Sequence, residues 1–198
     1  MKTVKKPINR VAKYGAGGFL CDNMVLTPEE QATLRRMAKS KNYHARKRCA
    51  EWLKVISHVK ANHPLVLELA DVLIPDRSEN IRWGILTIAL SPKLRDWDCS
   101  DLWPLVVKWG SVRNTDIRIG VGVCVLEHIL EQNFTEYFGR AQHLIETGNH
   151  RFGYTLAYAG RLGQAKEPQN IEEYNAFFAT LPSYPYTSQY LSYSQPAA

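Results

Sequence analysis

Apolar residues along this chain recur at helical rather than alternating spacing. In the segment beginning at residue 80 the positions are Ile81, Ile85, Ile88 and Ala89, and in the segment from residue 116 they are Ile117, Val121, Cys124 and Val125. That spacing places them on one face of a helix. The second run, DIRIGVGVCVLEHIL, is apolar on nearly every side and predicts a helix buried between neighbours. Its continuation through His128 and Glu131 is too long for a central strand.

These two segments share more than their apolar positions. Arg82 and Arg118 are 36 residues apart, each follows an Ile, and each precedes a glycine by two positions, Gly84 and Gly120. Stepping back 36 residues reaches Arg46, and stepping forward 33 reaches Arg151. Four residues before these arginines stand Asn42, Ser78, Asn114 and Thr147, all able to accept a hydrogen bond from the open backbone N–H groups of a helix start. Gly84, Gly120 and Gly153 would each cost a helix about 1 kcal/mol relative to Ala, so close approach of a neighbouring helix is expected there. Arg48 breaks that column in the first repeat, as a terminal unit could.

A second helix is predicted ahead of each arginine helix. TPEEQATLRRMAKS opens with Thr27 as cap, Pro28 in the first turn and Glu30 completing a capping box. Asn62 is expected to cap residues 63–74, Ser100 the segment containing Pro104, and Asn133 the segment running to Thr147. Asn170 is expected to cap a last short helix containing Tyr174, Phe177 and Phe178. Met37, Leu73 and Trp109 share the repeat offset and suit an inter-helix seam. Repeated helical hairpins whose apolar faces are hidden only by stacking predict an all-α, right-handed α-solenoid of about four units over residues 27–180.

The segments NYHARKRCAEWL, SENIRWGILTIAL and NTDIRIGVGVCVL resemble the second helix of HEAT and HEAT-like, armadillo-type repeats. Polar cap, early Arg and small or aliphatic residues come in the same order. Asn, Ser and Thr stand where that family often has Asp, and Arg48 stands where a small residue is usual. The resemblance implies the fold; a regular stack without a convincing catalytic set leads to the expectation of a non-enzymatic scaffold that holds a protein partner on its concave face, without cofactor. A weaker resemblance, to AlkD-like alkylpurine DNA glycosylases, rests on basic charge and on the Trp and Asp residues of RDWDCSDLW, residues 95–103. It implies nucleic-acid binding or base excision as the alternative. No Trp–Asp–Arg set matches that family residue by residue.

Charge changes the picture in one respect. The net +6 is uneven: residues 1–60 hold 14 Lys and Arg against 4 Asp and Glu, a net of +10, and residues 61–198 hold 11 against 15, a net of −4. The basic pole of Lys39, Lys41, Arg46, Lys47 and Arg48 suits an acidic partner. Arg82, Arg118 and Arg151 either tie adjacent units together or line a groove, and Trp97 and Trp103 either pack at a helix start or face a ligand. Cys49 and Cys124 read as core residues. No cysteine, histidine or carboxylate spacing suggests a metal site. Residues 1–26 read as a basic arm and residues 181–198, rich in Tyr, Ser and Pro, as a flexible tail. No apolar run is long enough to span a membrane, and a cytoplasmic location is expected.

Overall fold

The computed structural model describes Val11, residues 24–91 and residues 96–181, so the basic arm (save Val11 and residues 24–26) and nearly all of the tail lie outside it. Among the described residues the chain is all-α, with no strand. The helices are α1 (Pro28–Ala38), α2 (Tyr43–Ile56), α3 (His63–Leu73), α4 (Glu79–Gly84), α5 (Cys99–Gly110), α6 (Thr115–Val121), α7 (Glu127–Gln132), α8 (Phe134–Glu146), α9 (His150–Tyr158) and α10 (Pro168–Thr180). They fall into two compact units, α1–α4 and α5–α10. No helix among the described residues is long and apolar enough to cross a membrane.

In the first unit α1 starts as its residue types dictate. Thr27 Oγ1 accepts from Glu30 N at 3.3 Å while Glu30 Oε2 accepts from Thr27 N at 3.0 Å, which completes the capping box. α1 packs on both α2 and α3, and α2 packs on α3 and α4. Trp52, Leu53, Ile56, Leu69 and Leu73 fill the space between them with no exposed surface. Asn62 stands ahead of α3 but does not cap it. Its buried amide accepts from Leu26 N and donates to the carbonyls of Met24 and Ile56, fastening the chain before α1 to the end of α2. A primary amide can both donate and accept, so it satisfies both kinds of backbone group at once.

The second unit contains two further hairpins and a closing helix. α5 begins at Cys99 with Asp98 as its cap, two residues earlier than the sequence indicates. Helix α9 is capped by Asn149, whose Oδ1 accepts from Phe152 N, and not by Thr147. α10 begins at Pro168 after Glu167, and Asn170 is instead buried, donating to the Gln164 carbonyl at 2.8 Å. Tyr174 of α10 stacks on Phe138 of α8 with 5.3 Å between ring centres, and its hydroxyl donates to the Leu156 carbonyl of α9 at 2.6 Å. One ring thereby joins α10 to two other helices.

Both helices with the strongest repeat signal depart from α geometry at nearly the same level. Ile85–Ala89 follows α4 as a π-turn, and Gly122–Leu126 lies between α6 and α7 as another. Gly84, Gly120 and Gly153 are all buried, and at Gly84 a Cβ would meet the flexible end of Lys54 at 2.9 Å rather than a helix backbone. A close backbone approach falls at Gly122, where a Cβ would lie 2.6 Å from the Thr155 carbonyl oxygen and 2.9 Å from Tyr158 Cβ. Gly122→Ala is therefore expected to destabilise the protein by about 1–3 kcal/mol through overpacking. Gly139 in α8 has nothing within 4 Å of the same position. Gly139→Ala should stabilise the chain by up to about 1 kcal/mol. Thermal melting followed by circular dichroism checks both, and equal effects from the two substitutions would contradict the packing described.

Candidate functional site

The repeated arginines act on the turns that precede them. Each hairpin turn leaves carbonyls beyond the first helix that no helix bonds. Arg46 Nη1 donates to the carbonyls of Ser40 and Lys41, each at 2.9 Å. Arg82 Nη1 donates to the Asp76 carbonyl at 2.7 Å, and Arg118 Nη1 to the Val112 carbonyl at 3.3 Å. In all three the acceptor lies six residues before the arginine, so the 36-residue echo corresponds to one repeated bond. Arg118 also donates to Thr115 Oγ1 at 3.1 Å, with its guanidinium 5.2 Å from the Tyr154 ring centre.

Arg151 does not take part in this pattern. Its turn closes with Gly148 at φ +102°, where Gly148 N donates to Ile145 O and Asn149 N to Leu144 O. That pair of bonds is a Schellman motif, which satisfies the carbonyls at the end of α8 from the backbone alone. Arg151 is left exposed on α9.

Arg46 does one thing more. Its Nε donates to Asp76 Oδ2 at 2.5 Å, so a single guanidinium touches the turn at 39–42 and the turn after α3. The Asp76 side chain is only 4% exposed, and its other oxygen accepts from Ser78 N at 2.9 Å. Burial on its own would raise this carboxyl. Donation from Arg46 and Ser78 and the charge of Arg82 outweigh it and hold Asp76 below the usual carboxylate range.

The lysines of the basic pole are disposed differently. Lys39, Lys41 and Lys47 are exposed and make no ion pair among the described residues, as do Arg36 and Arg77. Arg48 is half-buried. Arg35, on the same helix as Arg36, is paired with Glu68 through a fork with oxygens at 2.7–3.1 Å. Arg77 was not among the residues singled out from sequence. It follows Asp76, and the Arg46–Asp76 bridge, which joins residues 30 apart, ties its turn to the one that carries Lys41.

RDWDCSDLW serves the start of α5. Asp98 Oδ1 accepts from Ser100 N at 2.8 Å, Asp101 lies in the first turn, and Asp96 occupies the left-handed region at φ +45°. Trp97 is buried at 4% exposure, so its ring face is not presented to solvent. Trp103 is half-buried against Tyr137 and Phe152, with ring centres 5.2 and 5.9 Å away.

Other chemistry-bearing groups are occupied within the fold. Burial pushes the Cys49 and Cys124 thiols up to about 12, which leaves them protonated and unreactive at neutral pH. His128 lies between Glu131, at 2.8 Å, and Glu127, at 3.7 Å. Glu127 also accepts from Gly160 N at 3.1 Å. Among the described residues no group of three or more Cys, His, Asp or Glu is placed to hold a metal ion.

Fold and site together define an all-α protein of helical hairpins with arginine-tied turns and an edge of unpaired cations. No protein-family profile, curated protein or solved structure matches the chain.

The Asp76 bridge gives a pH prediction. Its carboxyl holds a proton less tightly folded than unfolded, so the stabilisation is complete above the unfolded value of about 4 and is lost as pH falls through the lower folded value. Asp76→Asn should cost about 1–3 kcal/mol at neutral pH by leaving Arg46 without its charged partner. It should also flatten the acid limb of the stability curve. Urea denaturation between pH 7 and about pH 2 measures both, and an unchanged acid limb would remove the bridge from the account.

Proposed function

We propose that this chain is a non-enzymatic binding module, built as a short right-handed solenoid of HEAT-like helical hairpins, that holds a protein partner on its concave face and basic N-terminal pole. The observation that carries this reading is the repeated arginine-to-carbonyl bond at Arg46, Arg82 and Arg118. A device repeated at fixed spacing belongs to an architecture whose units are built alike and whose product is surface rather than a pocket. Exposed Lys39, Lys41 and Lys47 supply charge to one end of that surface.

The glycosylase-like reading asks for an aromatic face that stacks on a base and a carboxylate free to stabilise a cation. Burial of Trp97 and the capping role of Asp98 favour the binding module over it. A duplex DNA titration across a salt series separates the two. The module is expected to show no duplex binding at low ionic strength and no release of alkylated bases. Tight binding that weakens steeply with salt would transfer the protein to the nucleic-acid class. Affinity capture from the native cell with the whole chain should recover a protein partner that Lys39→Glu/Lys41→Glu/Lys47→Glu fails to retain. Recovery of nucleic acid alone would overturn the proposal.

A further inference from the structure

The strongest unassigned feature is the edge where the two turns of the first unit meet. Arg46 fixes it, with Nη1 donating to the Ser40 and Lys41 carbonyls and Nε to Asp76. The turn that carries Lys41 and the turn that carries Arg77 are thereby held together. Lys39 at the end of α1 and Lys47 in the second turn of α2 flank them, and all four are exposed. Within residues 39–48 and 74–79 the only carboxylates are Asp76, which is spent on Arg46, and Glu79, exposed in the first turn of α4.

We infer that this edge recognises an extended run of Asp and Glu side chains in a partner protein, an inference that rests on the binding-module reading. Two observations favour carboxylates over a nucleic-acid backbone. Three of the guanidinium groups near this edge, whose planar forks suit phosphate, are engaged elsewhere, Arg35 on Glu68, Arg46 on its turn and Asp76, and Arg82 on the Asp76 carbonyl, which leaves Arg77 as the one guanidinium at the edge beside three lysines. What stays open is mainly lysine ammonium, a point charge that pairs with successive carboxylates without demanding a fixed approach. The edge is also short. A duplex is held by many phosphate contacts spread along the helix, whereas this edge gathers four exposed cations, Lys39, Lys41, Lys47 and Arg77. A flexible acidic segment needs only the edge itself.

The pre-set spacing of the turns is what distinguishes this edge from lysines scattered on a surface. With the turns held together, an extended peptide meets the charges of both without first ordering either one. Side-chain ammonium groups still exchange water for carboxylate at high dielectric, so each contact is weak and binding depends on several acting together and falls with salt.

An octaglutamate peptide with a fluorescent label, titrated with the full-length protein by anisotropy, is the direct test, with single-stranded DNA of equal charge as comparator. The peptide should bind at low ionic strength, weaken as salt rises, and bind more tightly than the DNA. Lys39→Gln/Lys41→Gln/Lys47→Gln should weaken it about tenfold and make its salt dependence shallower, with an unchanged melting curve. No peptide binding at low salt, equal binding by the triple variant, or tighter binding of the DNA would each overturn the inference. Its failure is separable from failure of the module reading. If native-cell capture recovers the same protein with the wild type and the triple variant, the concave-face part of the module reading stands, and the basic pole with this edge is not its site.

Discussion

A helical hairpin carries an electrostatic debt at its turn, because the carbonyls of the turn lie beyond the first helix and no helix bonds them. Three hairpins here meet it in the same way, by an arginine from the first turn of the second helix reaching back six residues. An arginine at that position is otherwise disfavoured, since the start of a helix already bears partial positive charge. The carbonyl it reaches offsets that cost. The bond fixes the angle at which the chain re-enters a helix, so the apolar faces of the two helices come together in one way. The packing of α1 on α2, and of both on the following hairpin, follows from turns held in this manner. The fourth turn shows that the requirement is the satisfied carbonyl and not the arginine itself. Gly148 permits a backbone solution, and Arg151 is released to solvent.

The first two hairpins share a further element. Ser40 Oγ accepts from Asn42 N, and Asp76 Oδ1 accepts from Ser78 N, each side chain bonding the amide two residues on. Such local bonds tighten a turn without help from distant residues. Asp76 combines this with its pairing to Arg46, so the second turn is shaped locally and tied to the first by one side chain. In the third hairpin Val112 stands at the corresponding position. There the turn relies on Arg118, on Asn114 capping α6, and on a hydrogen bond from Asn149 Nδ2 to Ser111 Oγ at 2.7 Å.

Sequence made the helical class, the capping box at Thr27 and the burial of Ile81, Val121, Cys49 and Cys124 legible, because each depends on residues close together in the chain. The arginine spacing was visible, yet its acceptors were not, since a backbone carbonyl leaves no mark in the sequence. Asn62 and Asn170 were read as caps for the same reason that they are useful when buried: an amide serves a helix start and an interior junction equally well. The displaced start of α9 had a readable signal in Thr147-Gly148-Asn149, a glycine just past a helix followed by a capping residue. The arginine column, extended to Arg151, points to Thr147 instead. Asp76 reads locally as a turn residue after Pro75, and only the approach of Arg46 gives it a second role.

Composition also counts positive charge without saying which of it the fold uses. The first 60 residues sum to +10, but the count treats every cation alike. In the fold, Arg35, Arg46 and Arg82 turn inward or toward carboxylates and carbonyls, while Lys39, Lys41 and Lys47 face water. That division follows from the two head groups. A guanidinium is weakly hydrated and offers a planar set of donors, so it loses little by moving against backbone; an ammonium is compact and strongly hydrated, and loses more. Arg35, Arg46 and Arg82 thus become part of the architecture, while Lys39, Lys41 and Lys47 remain surface. The same number of charges with the two residue types exchanged would give loose turns and a different outer face, so the order of Arg and Lys in residues 35–48 carries information that net charge discards.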